Sequence, residues 1–411
     1  MDRKMPKNAV VGQSGGPTAA INATLAGVIR GSLDAQERGE IGKLYGMRNG
    51  IEGFLEERLI DLTERFSCGK DLDALEATPA AALGSCRKKM KSPEADPETY
   101  EKLFEIFAKY DIGYFFYIGG NDSMDTVSKL SAYAEKVGYD IRVVGVPKTI
   151  DNDLMATDHT PGFGSAAKYV ATTVKELIRD VSVYTINAVT IVEIMGRDAG
   201  WLTASAALTA ISGGKAPDLI YLPERVFDKD KFIDKVKAAL SRHPAVLVAV
   251  SEGIRYADGT YVGASGSSTD AFGHVRLSGA AKVLEWLVKD SIGCKVRSIE
   301  LNLPQRAAGH LLSRTDIEES VRVGRAATEA ALAGKSGVMM TIDRAAGEKY
   351  SSSVGCAYIA DIANAVRTVP SEYINEDGDG ITEAGLAYLA PLIKGEIAVE
   401  YESGLPKHIV I

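Results

Sequence analysis

Two acidic side chains and one lysine lie close together in segment 147–153 (Pro-Lys-Thr-Ile-Asp-Asn-Asp). Asp151 and Asp153 are two residues apart, so one carboxylate is available for a reacting hydroxyl and the other for a metal ion. Lys148 supplies positive charge for phosphate oxygens. Transfer of a phosphoryl group needs such a set: a carboxylate, a metal ion and fixed charge around the moving group. An Asx-rich turn without catalytic function is the alternative.

Two glycine-rich segments carry further residues that suit a phosphate-containing ligand. In segment 12–18 (Gly-Gln-Ser-Gly-Gly-Pro-Thr), glycines let the backbone approach an anion, and the helix that follows offers free N–H groups. In segment 119–123 (Gly-Gly-Asn-Asp-Ser), Asn121 and Asp122 supply oxygens suited to Mg²⁺. A tight turn for the first segment and a helix N-cap for the second are the structural alternatives.

These three segments follow apolar runs that alternate with helix-like runs along the chain. We predict strands at 8–12, 112–118, 141–146, 188–194 and 244–250, and helices at 19–32 and from about Ser123 onward. Strands this apolar are typical of parallel sheets that are buried on both faces. The pattern predicts an α/β protein with doubly wound sheets, and ligands bind such sheets at the carboxyl ends of the strands.

The composition restricts the class of protein. The chain has 411 residues, of which 45% are hydrophobic and 25% charged, and this predicts two globular domains with substantial cores. A net charge of −8 gives no support to nucleic-acid binding. No apolar stretch approaches the roughly 20 residues of a membrane span, and no signal peptide is visible. We expect a cytoplasmic protein without a membrane or nucleic-acid partner, with reduced cysteines and no zinc site.

Taken together, the motifs resemble those of the phosphofructokinase family. The Gly-Gly-x-x-Ser segment at 119–123 and the Thr-Ile-Asp-Asn-Asp segment at 149–153 occur in the family's order. Downstream, 193–197 (Glu-Ile-Met-Gly-Arg), 251–253 (Ser-Glu-Gly) and 305–306 (Gln-Arg) match its sugar-phosphate motifs. Five motifs in order over roughly residues 8–320 are far more specific than any one of them. The resemblance implies two Rossmann-like domains with the active site in the cleft between them.

The resemblance also implies a role for each matching residue. Asp151 is the base that takes the C1 hydroxyl proton of fructose 6-phosphate, and Arg197 stabilises charge in the transition state. The remaining assignments are Gly15, Gly16 and Arg87 for the phosphoryl donor, Asn121 and Asp153 for Mg²⁺, and Thr149, Met195, Gly196, Arg197, Glu252 and Arg306 for the sugar phosphate. From the chain's organisation we expect residues 1–153 with part of the C-terminal region to form the donor-binding domain, 154–340 to form the sugar-phosphate domain, and 341–411 to cross back to the first domain.

Two side chains decide which donor the resemblance implies. The ATP-using members have motifs similar to Gly-Gly-Asp-Gly-Ser and Gly-Thr-Ile-Asp-Asn-Asp. This chain has Asp122 in place of the third glycine of the first motif and Lys148 in place of the glycine of the second. A carboxylate at position 122 occupies the space of the α-phosphate of ATP, and like charges in a closed site repel each other. Lys148 adds a cation for a diphosphate leaving group. The pattern is that of the pyrophosphate-using branch, whose members act reversibly and as homodimers or homotetramers.

The chain departs from the family pattern at several positions. Asn121 is neutral where an aspartate is common, and 187–190 (Asn-Ala-Val-Thr) lacks the usual basic residue. His310 is a candidate phosphate ligand, and Tyr373 a candidate to close over the sugar, although packing is the alternative for both. The basic run of Lys88, Lys89 and Lys91 is either solvated surface or a means of attracting anionic substrates.

Three other functions stay open from the sequence. The nearest alternative is an ATP-dependent 6-phosphofructokinase. A second is transfer to a different sugar phosphate, for example sedoheptulose 7-phosphate. A third, from another class, is a non-catalytic phosphate- or nucleotide-binding regulator that keeps the fold.

Overall fold

A computed structural model describes residues 5–69, 71–263, 279–347, 349–361 and 365–411. The strands are β1 (Asn8–Gln13), β2 (Leu44–Met47), β3 (Leu59–Asp61), β4 (Ile112–Gly119), β5 (Arg142–Pro147), β6 (Ala188–Ile194), β7 (Leu219–Tyr221), β8 (Ala245–Ser251), β9 (Lys295–Glu300), β10 (Val338–Arg344), β11 (Ser352–Tyr358), β12 (Tyr401–Glu402) and β13 (Leu405–Pro406). The α-helices are α1 (Ile21–Glu37), α2 (Gly50–Leu55), α3 (Leu62–Arg65), α4 (Leu72–Glu76), α5 (Pro97–Lys109), α6 (Asn121–Val137), α7 (Phe163–Val181), α8 (Trp201–Ser205), α9 (Lys229–Arg242), α10 (Ala280–Ile292), α11 (Pro304–Ala307), α12 (Arg314–Leu332) and α13 (Glu383–Leu389).

The larger sheet has seven strands in the order β11-β10-β5-β4-β1-β2-β3. Strands β10, β5, β4, β1 and β2 are parallel, and β11 and β3 pair antiparallel at the two edges. Ala9 and Val11 of β1 pack with Leu25 of α1, whereas Val10 between them belongs to the opposite hydrophobic cluster. Since successive strand residues face opposite sides, helices cover this sheet on both faces.

The smaller sheet has four parallel strands in the order β7-β8-β6-β9. Val189 and Ile191 of β6 pack with Phe232 of α9 and Leu284 of α10, and Val192 packs in the cluster of α7 and α8 on the other face. Strand β9 is one of its two edge strands, and its side chains are partly or fully exposed. A mostly parallel sheet and a fully parallel one, both with helices on both faces, confirm the predicted α/β fold class.

The C-terminal third of the chain contacts both sheets. Helix α12 packs so closely against α1 that a Cβ atom at Gly27 would lie only 2.2 Å from the carbonyl oxygen of Val321. Strands β10 and β11 then extend the larger sheet. Leu389 of α13 joins the core of the smaller sheet, and Ile411 joins the core of the larger one. The domain boundaries given above stay predictions.

Across the part of the chain that the structure describes, no helix combines the length and the apolar character needed to cross a membrane. All four cysteines are free thiols, and only Cys86 is buried.

Candidate active site

The motifs singled out in the sequence converge on one cavity of about 460 Å³ between the two sheets. Most residues of its first wall come directly after β1, β4 and β5 of the larger sheet, and most residues of its second wall come directly after β6 and β8 of the smaller sheet. The first wall consists of Gly15, Gly16, Arg87, Asn121, Asp122, Lys148, Thr149, Asp151 and Asp153, and the second wall of Met195, Arg197, Asp198, Glu252 and Arg306. Every predicted site residue except Gly196 is among them. The individual roles given above stay predictions.

The loop after β1 is held in place by buried hydrogen bonds. The Gln13 side chain accepts the N–H of Leu83 at 2.9 Å and donates to Asn22 Oδ1 at 2.9 Å. Gly15 has a φ of +77°, which favours glycine, and its N–H donates to the carbonyl of Cys86 at 3.1 Å. These bonds join the loop to the chain segment that carries the arginine of the first wall.

The end of β4 needs glycine because the next helix starts at once. A Cβ atom at Gly119 would lie 1.9 Å from Ser123 Oγ, which donates instead to Ser14 Oγ at 3.1 Å. Helix α6 begins at Asn121, and its first residues line the cavity. The first N–H groups of a helix have no partner inside the helix, so this end presents donors and partial positive charge to a ligand.

Asn121 and Asp122 have different partners in the first wall. Asn121 Nδ2 donates to Asp153 Oδ2 at 3.1 Å. Asp122 lines the cavity, and its carboxylate lies 3.6 Å from Nζ of the exposed Lys89. Lys89 of the basic run is exposed and contributes one ion pair to the edge of the site.

The turn after β5 brings a lysine and two carboxylates to the centre of the cavity. Lys148 is 3% exposed, and its Nζ donates to the Gly16 carbonyl at 2.6 Å. Asn152, between Asp151 and Asp153, is buried with a φ of +56°, in the left-handed region. Asp151 and Asp153 both line the cavity.

Burial shifts the pKa values of the charged groups in the cavity. Desolvation lowers the pKa of Lys148 to about 8, although Asp151 partly offsets this effect. Burial raises the pKa of Asp151, and Lys148 opposes that rise. Burial and the charge of Asp151 raise the pKa of Asp153 to about 7 and that of Glu252 to about 7. Perturbed groups that share a cleft are typical of a functional site.

The second wall is built from side chains that the ends of β6 and β8 position. The backbone N–H of Met195 donates to Gln305 Oε1 at 3.2 Å, which ties β6 to helix α11. The Nε atom of Arg197 is buried without a hydrogen-bond partner among the described residues. A buried donor without a partner is costly in a protein. Arg197 Nε is therefore a candidate donor to a bound ligand.

Gly196 lies behind this wall rather than in it. Its φ is +128°, and a Cβ atom there would lie 2.6 Å from the carbonyl oxygen of Ala199. Its N–H donates to Glu252 Oε1 at 3.3 Å, and its carbonyl accepts from Ser251 Oγ at 2.6 Å. The structure therefore gives Gly196 the geometry of a support for Glu252 and Arg197, which do line the cavity.

The two further side chains that the sequence suggested do not reach the cavity. His310 is exposed and is not part of either wall. Tyr373 packs against Trp201 and stacks on Tyr388, so the packing alternative describes it better.

Asp198 is a wall residue that the sequence analysis missed. It directly follows the Met-Gly-Arg motif and forms an ion pair with Arg255, and it accepts a hydrogen bond from the Tyr261 hydroxyl at 3.2 Å. Ala365 and Val366 also line the cavity from the C-terminal region. Position next to a motif was the only sequence signal for Asp198, and Ala365 and Val366 had none.

Comparison with known proteins agrees with this geometry. The family model described as phosphofructokinase matches residues 8–341. The chain belongs to the phosphofructokinase family.

Several of its relatives in that family match over nearly their whole length. The pyrophosphate–fructose 6-phosphate 1-phosphotransferase of Halomonas elongata is 44% identical over 402 residues, 97% of this chain and 95% of the relative. The protein of the same name from Methylococcus capsulatus is 44% identical over 407 residues, 98% of this chain and 96% of the relative. The crystal structure of the pyrophosphate-dependent phosphofructokinase from Nitrosospira multiformis is 42% identical, with a TM-score of 0.88 over 98% of this chain and 96% of that one.

Proposed function

We propose that the chain transfers a phosphoryl group reversibly from inorganic diphosphate to the C1 hydroxyl of fructose 6-phosphate, giving fructose 1,6-bisphosphate and phosphate. The observation that carries the proposal is the presence of Asp122 and Lys148 in the first wall. In the pattern of the ATP-using members, glycine stands at both of these positions. The names of the Halomonas and Methylococcus relatives support the same donor and acceptor.

The chemistry follows from the positions of Asp151, Lys148 and Arg197. Asp151 takes the proton of the C1 hydroxyl, and its raised pKa suits a general base. The C1 oxygen forms a bond to one phosphorus of diphosphate while the bond from that phosphorus to the bridging oxygen breaks, and phosphate leaves with the electron pair. Lys148 and Arg197 balance the negative charge around the moving group. In the reverse direction the Asp151 carboxyl returns its proton.

The donor follows from the charge and the space in the first wall. The amide N–H groups at the start of α6, together with Lys148, suit a compact anion. The Asp122 carboxylate stands beside them, where it would face the next phosphate of a nucleotide, and juxtaposed like charges are unfavourable. Diphosphate has no further phosphate to meet this carboxylate. The ATP-dependent alternative therefore has less support than the diphosphate reaction.

A divalent metal ion fits the donor atoms of the first wall, and we propose Mg²⁺. Asn121 and Asp153 lie within hydrogen-bond distance of each other and offer one amide and one carboxylate group. Among the described residues no three His, Cys, Asp or Glu side chains form a metal-binding group. Such a sparse donor set suits Mg²⁺, which keeps water and substrate-phosphate oxygens as ligands. When bound, the ion neutralises part of the phosphate charge.

We further propose a homo-oligomer that works in the cytoplasm. Large apolar side chains are exposed near the edge strand β9, among them Tyr184, whose ring lies 5.2 Å from Lys295 Nζ, and Trp286 on helix α10, which packs against β9. A second copy of the chain would cover such a surface. Sedimentation of the purified protein as a monomer at micromolar concentration would count against this part of the proposal.

The proposed function is tested by assaying the wild-type protein with diphosphate and with ATP side by side. Both reactions contain fructose 6-phosphate and Mg²⁺, and fructose 1,6-bisphosphate is measured. We expect kcat/KM with diphosphate to exceed that with ATP by at least about a hundredfold. Activity with ATP equal to or above that with diphosphate would overturn the donor assignment, and no activity with either donor would favour a non-catalytic regulator. Parallel reactions with sedoheptulose 7-phosphate test the acceptor.

A further inference from the structure

The turn that carries Asp151 and Asp153 depends on the residue between them. Asn152 is fully buried and left-handed, a conformation that non-glycine residues seldom adopt. Its Oδ1 accepts the N–H of Thr160 at 3.0 Å, and its Nδ2 donates to the hydroxyl of Tyr388 at 3.2 Å. The conformation between the two carboxylates is therefore held by the Asn152 side chain, whose second partner lies far away in the sequence.

The Tyr388 hydroxyl uses all of its hydrogen-bonding capacity around this turn. It donates to the carbonyl of Asp158 at 2.7 Å and accepts from Asn152 Nδ2 and from Arg367 Nη2, the latter at 3.0 Å. A hydroxyl has one donor and two acceptor positions, so no position is left over. The phenol ring is buried near the end of α13, where it packs against Trp201.

Arg367 holds the same turn by donating hydrogen bonds to two backbone carbonyls of the turn. Its N–H donates to the carbonyl of Asp153 at 2.8 Å, and its Nη1 donates to the carbonyl of Asn152 at 3.2 Å. The guanidinium lies 4.3 Å above the Trp201 ring, and the indole N–H of Trp201 donates back to the Arg367 carbonyl at 2.9 Å. Tyr388 and Arg367 thus both contact the turn, and neither lines the cavity.

We propose that Tyr388 is a positioning residue for phosphoryl transfer, whose hydroxyl keeps Asn152 in place so that Asp151 and Asp153 stay directed into the cavity. The inference rests on the function proposed above. Tyr388 acts through Asn152 and touches neither substrate. Since misplacement of a reacting group by about 1 Å can cost about 10²-fold in rate, we expect the loss of this hydroxyl to lower kcat while leaving substrate affinity nearly unchanged.

The test compares Tyr388→Phe with Tyr373→Phe in the full-length protein. The two tyrosines stack on each other with ring centroids 5.6 Å apart, and no hydrogen bond of the Tyr373 hydroxyl is found among the described residues. We expect Tyr388→Phe to lower kcat by about 10- to 100-fold with both KM values within about twofold. We expect Tyr373→Phe to keep the wild-type kcat. A wild-type kcat in Tyr388→Phe would overturn the proposal.

A second pair of measurements separates positioning from stability and from the proposed function itself. Asn152→Gly keeps the left-handed conformation but removes the side chain, so its effect on kcat and that of Tyr388→Phe should not add in the double variant. Amide hydrogen exchange of residues 148–153 should be faster in Tyr388→Phe than in Tyr373→Phe, whether or not the protein transfers phosphate. Additive effects on kcat, or equal exchange in the two variants, would contradict the proposal.

Discussion

The two walls of the cavity differ in the chemical groups that they present to a ligand. The first wall presents the backbone N–H groups at the start of α6 together with the buried Lys148, and three carboxylates stand beside them. The second wall presents long side chains, including Glu252, Arg306 and Arg197, whose Nε has no hydrogen-bond partner among the described residues. Backbone groups close to a buried cation suit a compact anion, whereas separate side chains suit a larger molecule with several polar groups. The difference supports the proposed function, in which the first wall would bind diphosphate and the second wall the sugar phosphate.

The largest expected effect is at Asp151, which lines the cavity and is the base of the proposed reaction. Asp151→Asn removes the base and should lower kcat by about 10²- to 10⁴-fold. Both substrates should still bind with affinities within a few-fold of wild type, because the neighbouring cations remain. Steady-state kinetics and calorimetric binding of each substrate check this. A kcat within a factor of ten of the wild-type value would remove Asp151 from the chemistry.

The next largest effect is expected at Lys148 of the first wall, and it should fall on diphosphate rather than on fructose 6-phosphate. Lys148→Met should lower kcat/KM for diphosphate by about 10²-fold, since a buried cation at the moving group is lost. The KM for fructose 6-phosphate should change much less. Lys89→Met is the matched control, because Lys89 is exposed and reaches the site only through its ion pair with Asp122. Equal losses in the two variants would show that Lys148 has no special role.

A variant in the second wall should have the opposite effect and act on fructose 6-phosphate rather than on diphosphate. Glu252→Gln keeps the shape but replaces the carboxyl group with an amide, and it should raise the KM for fructose 6-phosphate about tenfold through a weaker hydrogen bond. The KM for diphosphate should stay within about twofold. Glu300→Gln, at the end of β9 and outside the cavity lining, serves as control. A larger change for diphosphate than for the sugar phosphate would contradict the division between the walls.

The smallest expected effect is a pH dependence in the first wall. Lys148 carries its charge below its pKa, which burial lowers to about 8, so diphosphate binding should weaken as the pH rises through that value. The ratio kcat/KM for diphosphate reports groups of the free enzyme and should fall on the alkaline side near pH 8. This alkaline limb should vanish in Lys148→Met. Its persistence in that variant would assign the limb to another group.

Much of the first wall could be predicted because its residues are local in sequence. Strand β6 spans the predicted residues, and β1, β4, β5 and β8 differ from the prediction by one residue at one or both ends. Motifs placed directly after buried strands reach the same edge of a sheet by geometry alone. Helix α1 begins two residues later than predicted, at Ile21, because its N-cap is Ala20, which offers no side-chain signal.

The parts that the sequence did not predict depend on contacts between distant segments. Tyr388 and Arg367 meet Asn152 only because α13 and the segment before it pack on the core of the smaller sheet. The antiparallel edge strands β3 and β11 depend on pairing partners rather than on their own pattern. Asp198 differs from an ordinary surface aspartate only through the cavity that it faces.

Donor selection by Asp122 is the central claim, and the most direct measurement is the ratio of kcat/KM for ATP to kcat/KM for diphosphate in Asp122→Gly. Asp125→Gly is the control, because Asp125 lies on the same helix, pairs with Lys129 and is outside the cavity lining. Since like charges brought together cost several kcal/mol, the ratio should rise by at least about tenfold in Asp122→Gly and stay at the wild-type value in Asp125→Gly. An unchanged ratio in a folded Asp122→Gly protein would contradict the account.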